Sequence, residues 1–258
     1  MPEKTLTGRV ALITGASRKI GIGFAIAQRL AERGADLFLQ GHTAYDAAQY
    51  GTTDAEGTSA VLSDLRAMGG RVEYVTADFA EPTAPSQLMQ AATQAYGHID
   101  ILVANHAYST LGNLEALTAE QIDKHLSVNV RGTLLLVQAF AAQHTAERGG
   151  RVIMMTSGQH LNAMPGELAY IASKGALHQL TRSLAAHLAP RHITVNTVNP
   201  GATDTGYADE ATHAAILALQ PMGRWGQPDD AARLIAWLAS DEAHWMTGQV
   251  INSTGGGV

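Results

Sequence analysis

The sequence contains no cysteine among its 258 residues. This absence excludes disulfide bonds, thiolate nucleophiles and cysteine-ligated metal sites, and it suits a reducing cytoplasm, which is the location we predict. No window approaches about 18 consecutive apolar residues, so we expect no transmembrane helix. The first nine residues also lack the apolar region of a signal peptide.

Basic residues and metal-binding patterns are scarce as well. Lysine and arginine total 17 against 23 acidic residues, which gives a net charge of −6, and no basic stripe offers a surface for nucleic acid. The 11 histidines show no His-Glu-x-x-His or similar spacing, so we predict no metal site. Apolar residues, in contrast, make up 46% of the chain, which is enough to fill the core of one α/β domain over residues 1–258.

Short β-branched runs alternate with longer helical patterns along the chain. The strand-like runs are Val10–Thr14, Leu37–Gln40, Val72–Thr76, Ile99–Ala104, Val152–Thr156, Ile193–Val198 and Gln249–Ile251. The helix-like stretches are Gly23–Arg33, Thr58–Met68, Pro85–Tyr96, Ala119–Thr145 (with a break), Tyr170–Ala189 and Asp229–Ser240. Continuous apolar strands indicate burial on both faces. The alternation predicts a Rossmann-type, doubly wound parallel sheet of about seven strands with helices on both faces.

Two segments, Gly41–Gly57 and Gly201–Pro228, are predicted as loops that leave the carboxyl edge of this sheet. In open α/β sheets, ligands bind at that edge. We therefore expect the binding site there, with the substrate loop near residues 201–228.

A glycine-rich segment, Gly15–Gly23, follows the first strand and precedes a helix. Glycines at such a turn let the backbone approach a pyrophosphate, which then lies at the helix N-terminus. Ile26 stands where the common dinucleotide-binding pattern has its third glycine. A plain strand-to-helix turn is therefore the alternative interpretation of this segment.

Tyr170 and Lys174 are one helical turn apart, so their side chains share a face. A lysine charge at ~4 Å, with an effective dielectric constant of ~20, is worth roughly 4 kcal/mol. That would lower the pKa of a tyrosine from about 10 to about 7. Such a tyrosine can donate a proton to a carbonyl oxygen or take one from an alcohol. The same spacing also occurs on solvated helix faces, so the pair alone does not distinguish a catalytic pair from two surface residues.

Further motifs accompany the glycine turn and the Tyr–Lys pair in a fixed order. They are Asp78, Ile101–Ala107, Val128-Asn129-Val130, Ser157, Asn199-Pro200-Gly201 with Thr203 and Thr205, Gly223–Pro228 and Thr247–Gln249. Together they resemble the classical short-chain dehydrogenase/reductase family over nearly the whole chain. One departure is the glycine turn, because five residues separate Gly15 from Gly21 where the family has three.

The resemblance implies an NAD(P)-dependent oxidoreductase that interconverts a ketone and a secondary alcohol. Tyr170 would be the general acid and base, and Lys174 would lower its pKa and bind the nicotinamide ribose. Ser157 would hold the substrate oxygen, and Asn129 would anchor a water that connects Lys174 to solvent. The alternative for Ser157 is a plain turn residue at the end of a strand. The alternative for Asn129 is an ordinary helix asparagine.

The resemblance also assigns the cofactor site. Its predicted residues are Gly15, Ser17, Arg18, Lys19, Gly21, Ile22, Gly23, His42, Asp78, Phe79, Asn105, Ala107, Tyr170, Lys174, Pro200, Gly201, Thr203 and Thr205. The second strand ends without an acid for a free ribose 2′-hydroxyl, and Arg18 and Lys19 are cations within reach of a 2′-phosphate. This favours NADP over NAD, unless the two cations are solvated loop charges.

The substrate side is less defined. His106, Gln159, His160 and Tyr207 are the predicted substrate-lining residues, and residues 206–220 the predicted lid. Within the family, a 3-oxoacyl-thioester reductase is the nearest general resemblance, and a polyol, sugar or cyclic ketone stays open. An enoyl reductase of the divergent group would have six residues between tyrosine and lysine, where three stand here. The family commonly forms homotetramers, which we expect here. The different-class alternative is a non-catalytic nucleotide-binding protein.

Overall fold

A computed structural model of the chain describes residues 4–51, 57–145 and 149–257. Seven parallel strands form one sheet in the order β3-β2-β1-β4-β5-β6-β7. Their bounds are β1 Val10–Thr14, β2 Asp36–Gly41, β3 Val72–Thr76, β4 Ile101–Ala104, β5 Gly150–Met155, β6 Ile193–Asn199 and β7 Val250–Asn252. The predicted doubly wound parallel sheet is confirmed.

Helices cover the sheet on both faces, which explains the continuously apolar strands. Ala11 and Ile13 of β1 belong to one buried cluster, and Val10 and Leu12 belong to the other. The first cluster is covered by α1 Ile22–Glu32, α3 Gly57–Arg66 and α9 Pro228–Leu238. The second is covered by α4 Ala84–Tyr96, α6 Thr133–Gln143 and α7 Leu168–Leu188.

The long pattern over Ala119–Thr145 is interrupted, as expected, and the interruption has a specific geometry. Helix α5, Ala119–His125, begins at a Thr118–Gln121 capping box. A π-helical segment, Leu126–Gly132, separates it from α6. Such segments insert one residue into a helix and occur frequently at functional sites.

The two predicted loops each contain a helix. Helix α2, Thr43–Tyr50, lies in the Gly41–Gly57 segment, of which residues 52–56 lie outside the described residues. Helix α8, Glu210–Ala218, lies in the Gly201–Pro228 segment and starts at Asp209, whose side chain accepts from the Thr212 N–H at 2.8 Å. The loop predictions were therefore wrong for these parts.

The order of the sheet reverses at β1, which pairs with β2 on one side and β4 on the other. Ligands bind at such a switch point in open α/β sheets. None of the described helices combines the length and the apolar character that crossing a lipid bilayer requires.

Candidate active site

The glycine turn lies at this switch point and is built for close approach of its backbone. Gly15 adopts φ +66°, a left-handed conformation that favours glycine. A Cβ on Gly23 would lie 2.2 Å from the Gly15 carbonyl oxygen, so only glycine fits there. Gly21 precedes α1 in an extended conformation, and no side chain caps the helix. The first N–H groups of α1 are thus available to an anionic ligand.

Thr14 joins the glycine turn to the end of β4. Its hydroxyl accepts from the backbone N–H groups of Asn105 and His106 at 3.0 and 3.1 Å. The Asn105 side-chain amide donates to the carbonyl oxygens of Thr14 and Gly15, both at 3.0 Å. Asn105 therefore holds the turn in place through its side chain.

His106 is buried beneath the site, and both of its ring nitrogens contact protein atoms. Nδ1 lies 2.7 Å from the Thr14 hydroxyl, and Nε2 lies 3.2 Å from the Val128 carbonyl oxygen. Because Thr14 already accepts two hydrogen bonds, its own proton goes to Nδ1, so Nε2 carries the ring proton. Burial, with a contribution from the Lys174 charge, lowers the pKa of His106 to about 3. The ring is therefore neutral and serves packing.

Gln40 at the end of β2 is a site residue that the sequence analysis missed. Its Oε1 accepts from the Gly15 N–H at 3.1 Å, and its Nε2 donates to the Ala77 carbonyl at 2.6 Å. Gln40 thus fixes the turn relative to the end of β3. The signal in the sequence was a polar residue directly after the apolar run Leu37–Leu39. The structure shows that this residue is buried.

Tyr170 and Ser157 form the centre of the candidate catalytic site. Ser157 follows β5, and Tyr170 lies in the first turn of α7, where the two side chains are close enough for Ser157 to influence the pKa of the phenol. Burial raises the pKa of Tyr170 above its ordinary value, and the Ser157 hydroxyl opposes this rise. This direction is opposite to the lowering that the Tyr–Lys spacing predicts.

Burial outweighs the other influences on Tyr170, and Lys174 is itself buried. Its Nζ donates to the Met155 carbonyl at 3.0 Å and lies 5.7 Å from the Tyr170 ring centroid. Burial lowers the pKa of Lys174 to about 8. The lysine is therefore a buried cation tied to the end of β5.

Asn129 lies in the π-helical segment and is fully buried. Its Oδ1 accepts from the Tyr108 N–H at 2.7 Å, while Nδ2 donates to the Tyr108 carbonyl and the Ser173 hydroxyl, each at 2.9 Å. The amide thus anchors the loop after β4 to α7. The role of a water anchor, predicted from the family, stays a prediction.

Helix α2 lies along a cleft of about 550 Å³ that starts at the glycine turn. The Arg18 guanidinium stacks on Tyr50 at 3.6 Å and donates to the Thr205 carbonyl at 2.9 Å. Ser17 donates to the Asp46 carboxylate, and Ser109 N–H donates to the Tyr45 hydroxyl at 3.1 Å. Sequence reasoning missed α2 as a wall of the site.

Most predicted cofactor residues meet in this cleft. Those that line it are Gly15, Ser17, Arg18, Gly21, Ile22, His42, Asp78, Phe79, Asn105, Ala107 and Thr205.

Lys19 points elsewhere, since its Nζ lies 3.0 Å from Asp64 on α3. His42 and Asp78 face each other at 3.9 Å. The segment with Pro200, Gly201 and Thr203 follows β6, where the Thr203 hydroxyl donates to the Pro200 carbonyl at 3.1 Å.

The predicted substrate residues are more scattered. The Gln159 Nε2 donates to the Thr156 hydroxyl at 3.1 Å, and exposed His160 packs edge-on against His178 of α7 at 4.6 Å. Tyr207 is 52% exposed and contacts Trp225. Burial raises the pKa of Tyr207, and Tyr207 in turn adds slightly to the raised pKa of Tyr170, which burial mainly causes.

Comparison with known proteins decides the family. Residues 15–257 match a family model described as enoyl-(acyl carrier protein) reductase. The "uncharacterized oxidoreductase YjdA" of Bacillus subtilis is 41% identical over 250 residues, covering 96% of each chain. The chain belongs to the classical short-chain dehydrogenase/reductase family. Versicolorin reductase stcU of Emericella nidulans, also similar, is 33% identical over 97% of this chain and 96% of its own.

Two solved structures that share the fold hold the expected type of cofactor. One from Burkholderia cenocepacia, in complex with NADP, has a TM-score of 0.87 and 36% identity over 98% of both chains. A blue fluorescent protein from a metagenomic library, in complex with NADPH, has a TM-score of 0.86 and 32% identity over 98% of both. These ligands agree with the cofactor that the sequence predicts.

The residues of this short-chain dehydrogenase fit a nicotinamide dinucleotide. The Gly15–Gly23 cradle would be filled by a Cβ at Gly23, and the uncapped start of α1 faces the cleft. Lys174 on α7 supplies a buried cation. No group of three or more side chains in residues 4–51, 57–145 and 149–257 forms a metal-binding cluster.

Proposed function

We propose that the protein is an NADPH-dependent reductase that converts a cyclic ketone to a secondary alcohol, with Tyr170 as the proton donor. The observation that carries this proposal is the Ser157 hydroxyl close enough to the Tyr170 phenol to oppose the rise in its pKa that burial causes, with Lys174 buried one turn farther along α7. A phenol and a serine hydroxyl that meet can both contact one substrate oxygen. That arrangement suits proton transfer to a carbonyl.

Each residue has a separate task in this reaction. Ser157 donates a hydrogen bond to the carbonyl oxygen and so orients it toward the phenol. Tyr170 gives its proton to the same oxygen as negative charge develops there. Bound NADPH supplies the hydride for the carbonyl carbon. Lys174, held by Met155, supplies positive charge below the phenol, and Asn129 holds α7 through Ser173.

NADP is favoured over NAD by the residues at the end of β2. Gln40, Gly41 and His42 offer no carboxylate for a free ribose 2′-hydroxyl, and Arg18 lines the cleft as a cation. Two similar proteins solved with cofactor hold NADP or NADPH. A contact between the Arg18 guanidinium and the 2′-phosphate of NADP is part of this proposal.

A cyclic ketone is favoured over a 3-oxoacyl thioester by the side chains around Tyr170. Tyr50 and Tyr207 lie close enough to influence the pKa of Tyr170, which burial mainly raises, and Tyr207 contacts Trp225. Such aromatic walls suit a flat ring. Relatives named versicolorin reductase and hydroxynaphthalene reductase-like protein support the same class. The name of the matching family model, an enoyl reductase, is not carried over, because three residues separate Tyr170 from Lys174.

A kinetic screen tests the function. NADPH consumption, followed by the absorbance of reduced nicotinamide, should be seen with cyclic ketones and be slower with 3-oxoacyl thioesters and with NADH. Tyr170→Phe should lose about 10²–10⁴-fold in turnover and keep its affinity for NADPH in a fluorescence titration. If Tyr170→Phe retains turnover, the proposed mechanism is wrong. If neither class of ketone is reduced, the alternative of a non-catalytic nucleotide-binding protein gains support.

We also propose a cytoplasmic homotetramer, as the family suggests. Its support in the chain is an apolar edge on α7, where Leu180 and Leu184 are only partly buried while Leu188 lies in the core. Sedimentation velocity of the purified protein should give a tetramer, and a monomer would contradict it.

A further inference from the structure

Asp46 of α2 is an acid that the fold brings to the end of β2. Its carboxylate accepts a hydrogen bond from the Ser17 hydroxyl of the glycine turn, and Asp46 lines the cleft. Ser17 itself lies against Gly41, the last residue of β2. A Cβ on Gly41 would lie 2.7 Å from the Ser17 Cβ and 2.9 Å from its hydroxyl oxygen. Through Ser17, the carboxylate is therefore held beside the point where β2 ends.

The end of the second strand is where a dinucleotide-binding sheet distinguishes the 2′ group of the adenosine ribose. A carboxylate there accepts a hydrogen bond from a free 2′-hydroxyl, whereas a cation accommodates a 2′-phosphate. Gly41 has no space for an acidic side chain, because its Cβ would also lie 2.5 Å from the Tyr74 hydroxyl. Helix α2 supplies the acid that the strand itself lacks.

The same helix also holds the cation of this region. Tyr50 lies one helical turn after Asp46, so the two side chains share a face of α2. The Arg18 guanidinium stacks on Tyr50 at 3.6 Å, while Ser17 is bonded to Asp46. Lys19, the other cation of the turn, pairs with Asp64. Within residues 4–51, 57–145 and 149–257, Asp46 forms no salt bridge, so no cation in direct contact neutralises it.

This arrangement makes Asp46 and a 2′-phosphate competitors. Ser17 has one hydroxyl proton, which it gives either to the carboxylate or to a phosphate oxygen. A phosphate that approaches Ser17 and Arg18 also meets the like charge of Asp46, which opposes its binding. A free 2′-hydroxyl meets neither obstacle. It can donate to Asp46 while Ser17 stays bonded, because a carboxylate accepts several hydrogen bonds.

We infer that Asp46 is a specificity-determining residue that competes with the 2′-phosphate of NADPH for the Ser17 hydroxyl. NADPH binds with Asp46 displaced from Ser17, and NADH binds with Asp46 in place. The preference for NADPH is thus the attraction of Arg18 reduced by the repulsion of Asp46. The inference rests on the proposed NADPH-dependent function, and it concerns the cofactor alone, so binding tests it without any ketone.

Fluorescence titrations with NADPH and with NADH test this competition. Asp46→Asn should bind NADPH about 10-fold more tightly than the wild type, because the like charge is gone. Its affinity for NADH should fall several-fold, since a neutral amide accepts a hydrogen bond more weakly than a carboxylate. Asp46→Glu keeps the charge and should bind NADPH no more tightly than the wild type.

A matched control and a pair of smaller ligands isolate the 2′ group. Glu73→Gln removes one negative charge from an exposed position on β3 that does not line the cleft, and it should change neither affinity. Adenosine 2′,5′-bisphosphate and adenosine 5′-monophosphate then compete with bound NADPH. Asp46→Asn should bind the bisphosphate about 10-fold more tightly and should show no gain for the monophosphate.

The outcomes separate this inference from the proposed function. If Asp46→Asn gains equally for NADPH and NADH, α2 only obstructs the cleft and the inference is wrong. Unchanged NADPH affinity in Asp46→Asn, or an equal gain in Asp46→Glu, also overturns it. If both dinucleotides bind and no ketone is reduced, the proposed reductase activity fails while the titrations still decide the role of Asp46. If neither dinucleotide binds, both fail. Should Asp46→Asn not fold, Asp46→Ala, with a better helix former, takes its place in every comparison.

Discussion

The side-chain amide of Asn129 donates to the hydroxyl of Ser173 at 2.9 Å, and that hydroxyl donates in turn to the Tyr170 carbonyl at 2.7 Å. Asn129 lies in the π-helical segment, and Ser173 lies between Tyr170 and Lys174, the two proposed catalytic residues of α7. The bond therefore connects the irregular helix to the turn that carries Tyr170 and Lys174. The sequence motif predicts no role for Ser173, although this residue is fully buried.

Removing the Ser173 hydroxyl should destabilise the protein and slow turnover. Ser173→Ala leaves a buried Asn129 N–H without its partner, which costs about 1–3 kcal/mol in the free energy of unfolding. Chemical denaturation measures this loss, and kcat should fall with KM for NADPH unchanged. Ser183→Ala, an exposed serine on the same helix, is the control and should change neither quantity. Wild-type stability in Ser173→Ala would contradict the role of this bond.

Replacing Lys174 should abolish turnover and stabilise the fold. Burial lowers the pKa of Lys174 from 10.5 to about 8, so the unfolded chain binds more protons than the folded one between these values. Wild-type stability therefore rises as the pH increases through this window. Near pH 7, Lys174→Met should unfold with a free energy higher by about 1–3 kcal/mol.

The pH dependence distinguishes this cause from better packing. The advantage of Lys174→Met should shrink as the pH rises above about 8, because the wild-type lysine then loses its charge. Urea unfolding in the absence of cofactor, at several pH values, measures the difference. An advantage that is constant with pH would mean that the buried charge is not its source.

Arg18 should matter more for NADPH than Lys19, although both are cations of the inserted turn. Arg18 lines the cleft, whereas Lys19 pairs with Asp64 on α3. Fluorescence titration should show that Arg18→Met weakens NADPH binding about 10-fold, as expected for loss of a charge-assisted hydrogen bond. Lys19→Met is the matched control. If Lys19→Met shows the larger loss, the ion pair with Asp64 opens on binding and the assignment must be exchanged.

His106 should make the fold sensitive to mild acid. Burial lowers its pKa from 6.5 to about 3, so the unfolded chain takes up a proton in this window and the folded protein does not. Stability is complete above about pH 6.5 and is lost as the pH falls toward 3. Between pH 7 and pH 5, this single group should cost about 2 kcal/mol.

The variant His106→Asn removes that titration. It should be less stable than the wild type near pH 7, because it loses the packing against Phe79 at 4.2 Å. Its stability should then fall less steeply between pH 7 and pH 5 in urea unfolding. Equal slopes in the two proteins would show that His106 is protonated in the folded state. No ionisation from His106 is expected in the pH profile of kcat.

The sheet could be predicted from the sequence because its cause is local. Strand β1 coincides with the run Val10–Thr14, since continuous apolar β-branched residues have few alternatives between two helical layers. Helix α2 could not be predicted in this way. It contains no buried residue, and Tyr45, Asp46 and Tyr50 each contact a distant part of the chain.

In the candidate site, too, the sequence predicts what depends on local spacing and misses what depends on the packing of distant segments. The spacing of Tyr170 and Lys174 predicts a shared helix face, which the structure has, yet spacing carries no information on where a long lysine chain ends. Its Nζ reaches the Met155 carbonyl on β5, and this contact depends on how α7 packs on the sheet. Gln40 and Ser173 were missed for a related reason. Their partners, Gly15 and Asn129, are near only after folding.

The central pairing of the sheet has a consequence for how the chain folds. Ala11 of β1 lies opposite Ile101 of β4, and the residues between them build two further strands before the pairing can close. Contacts so distant in sequence form slowly, because a long loop must be closed first. Gly15 follows β1, and Asn105, which supports the turn at Gly15, follows β4. The two are therefore brought together only when these strands pair. Dinucleotide can therefore bind only after the slow step, and we expect added NADPH to slow unfolding without accelerating refolding.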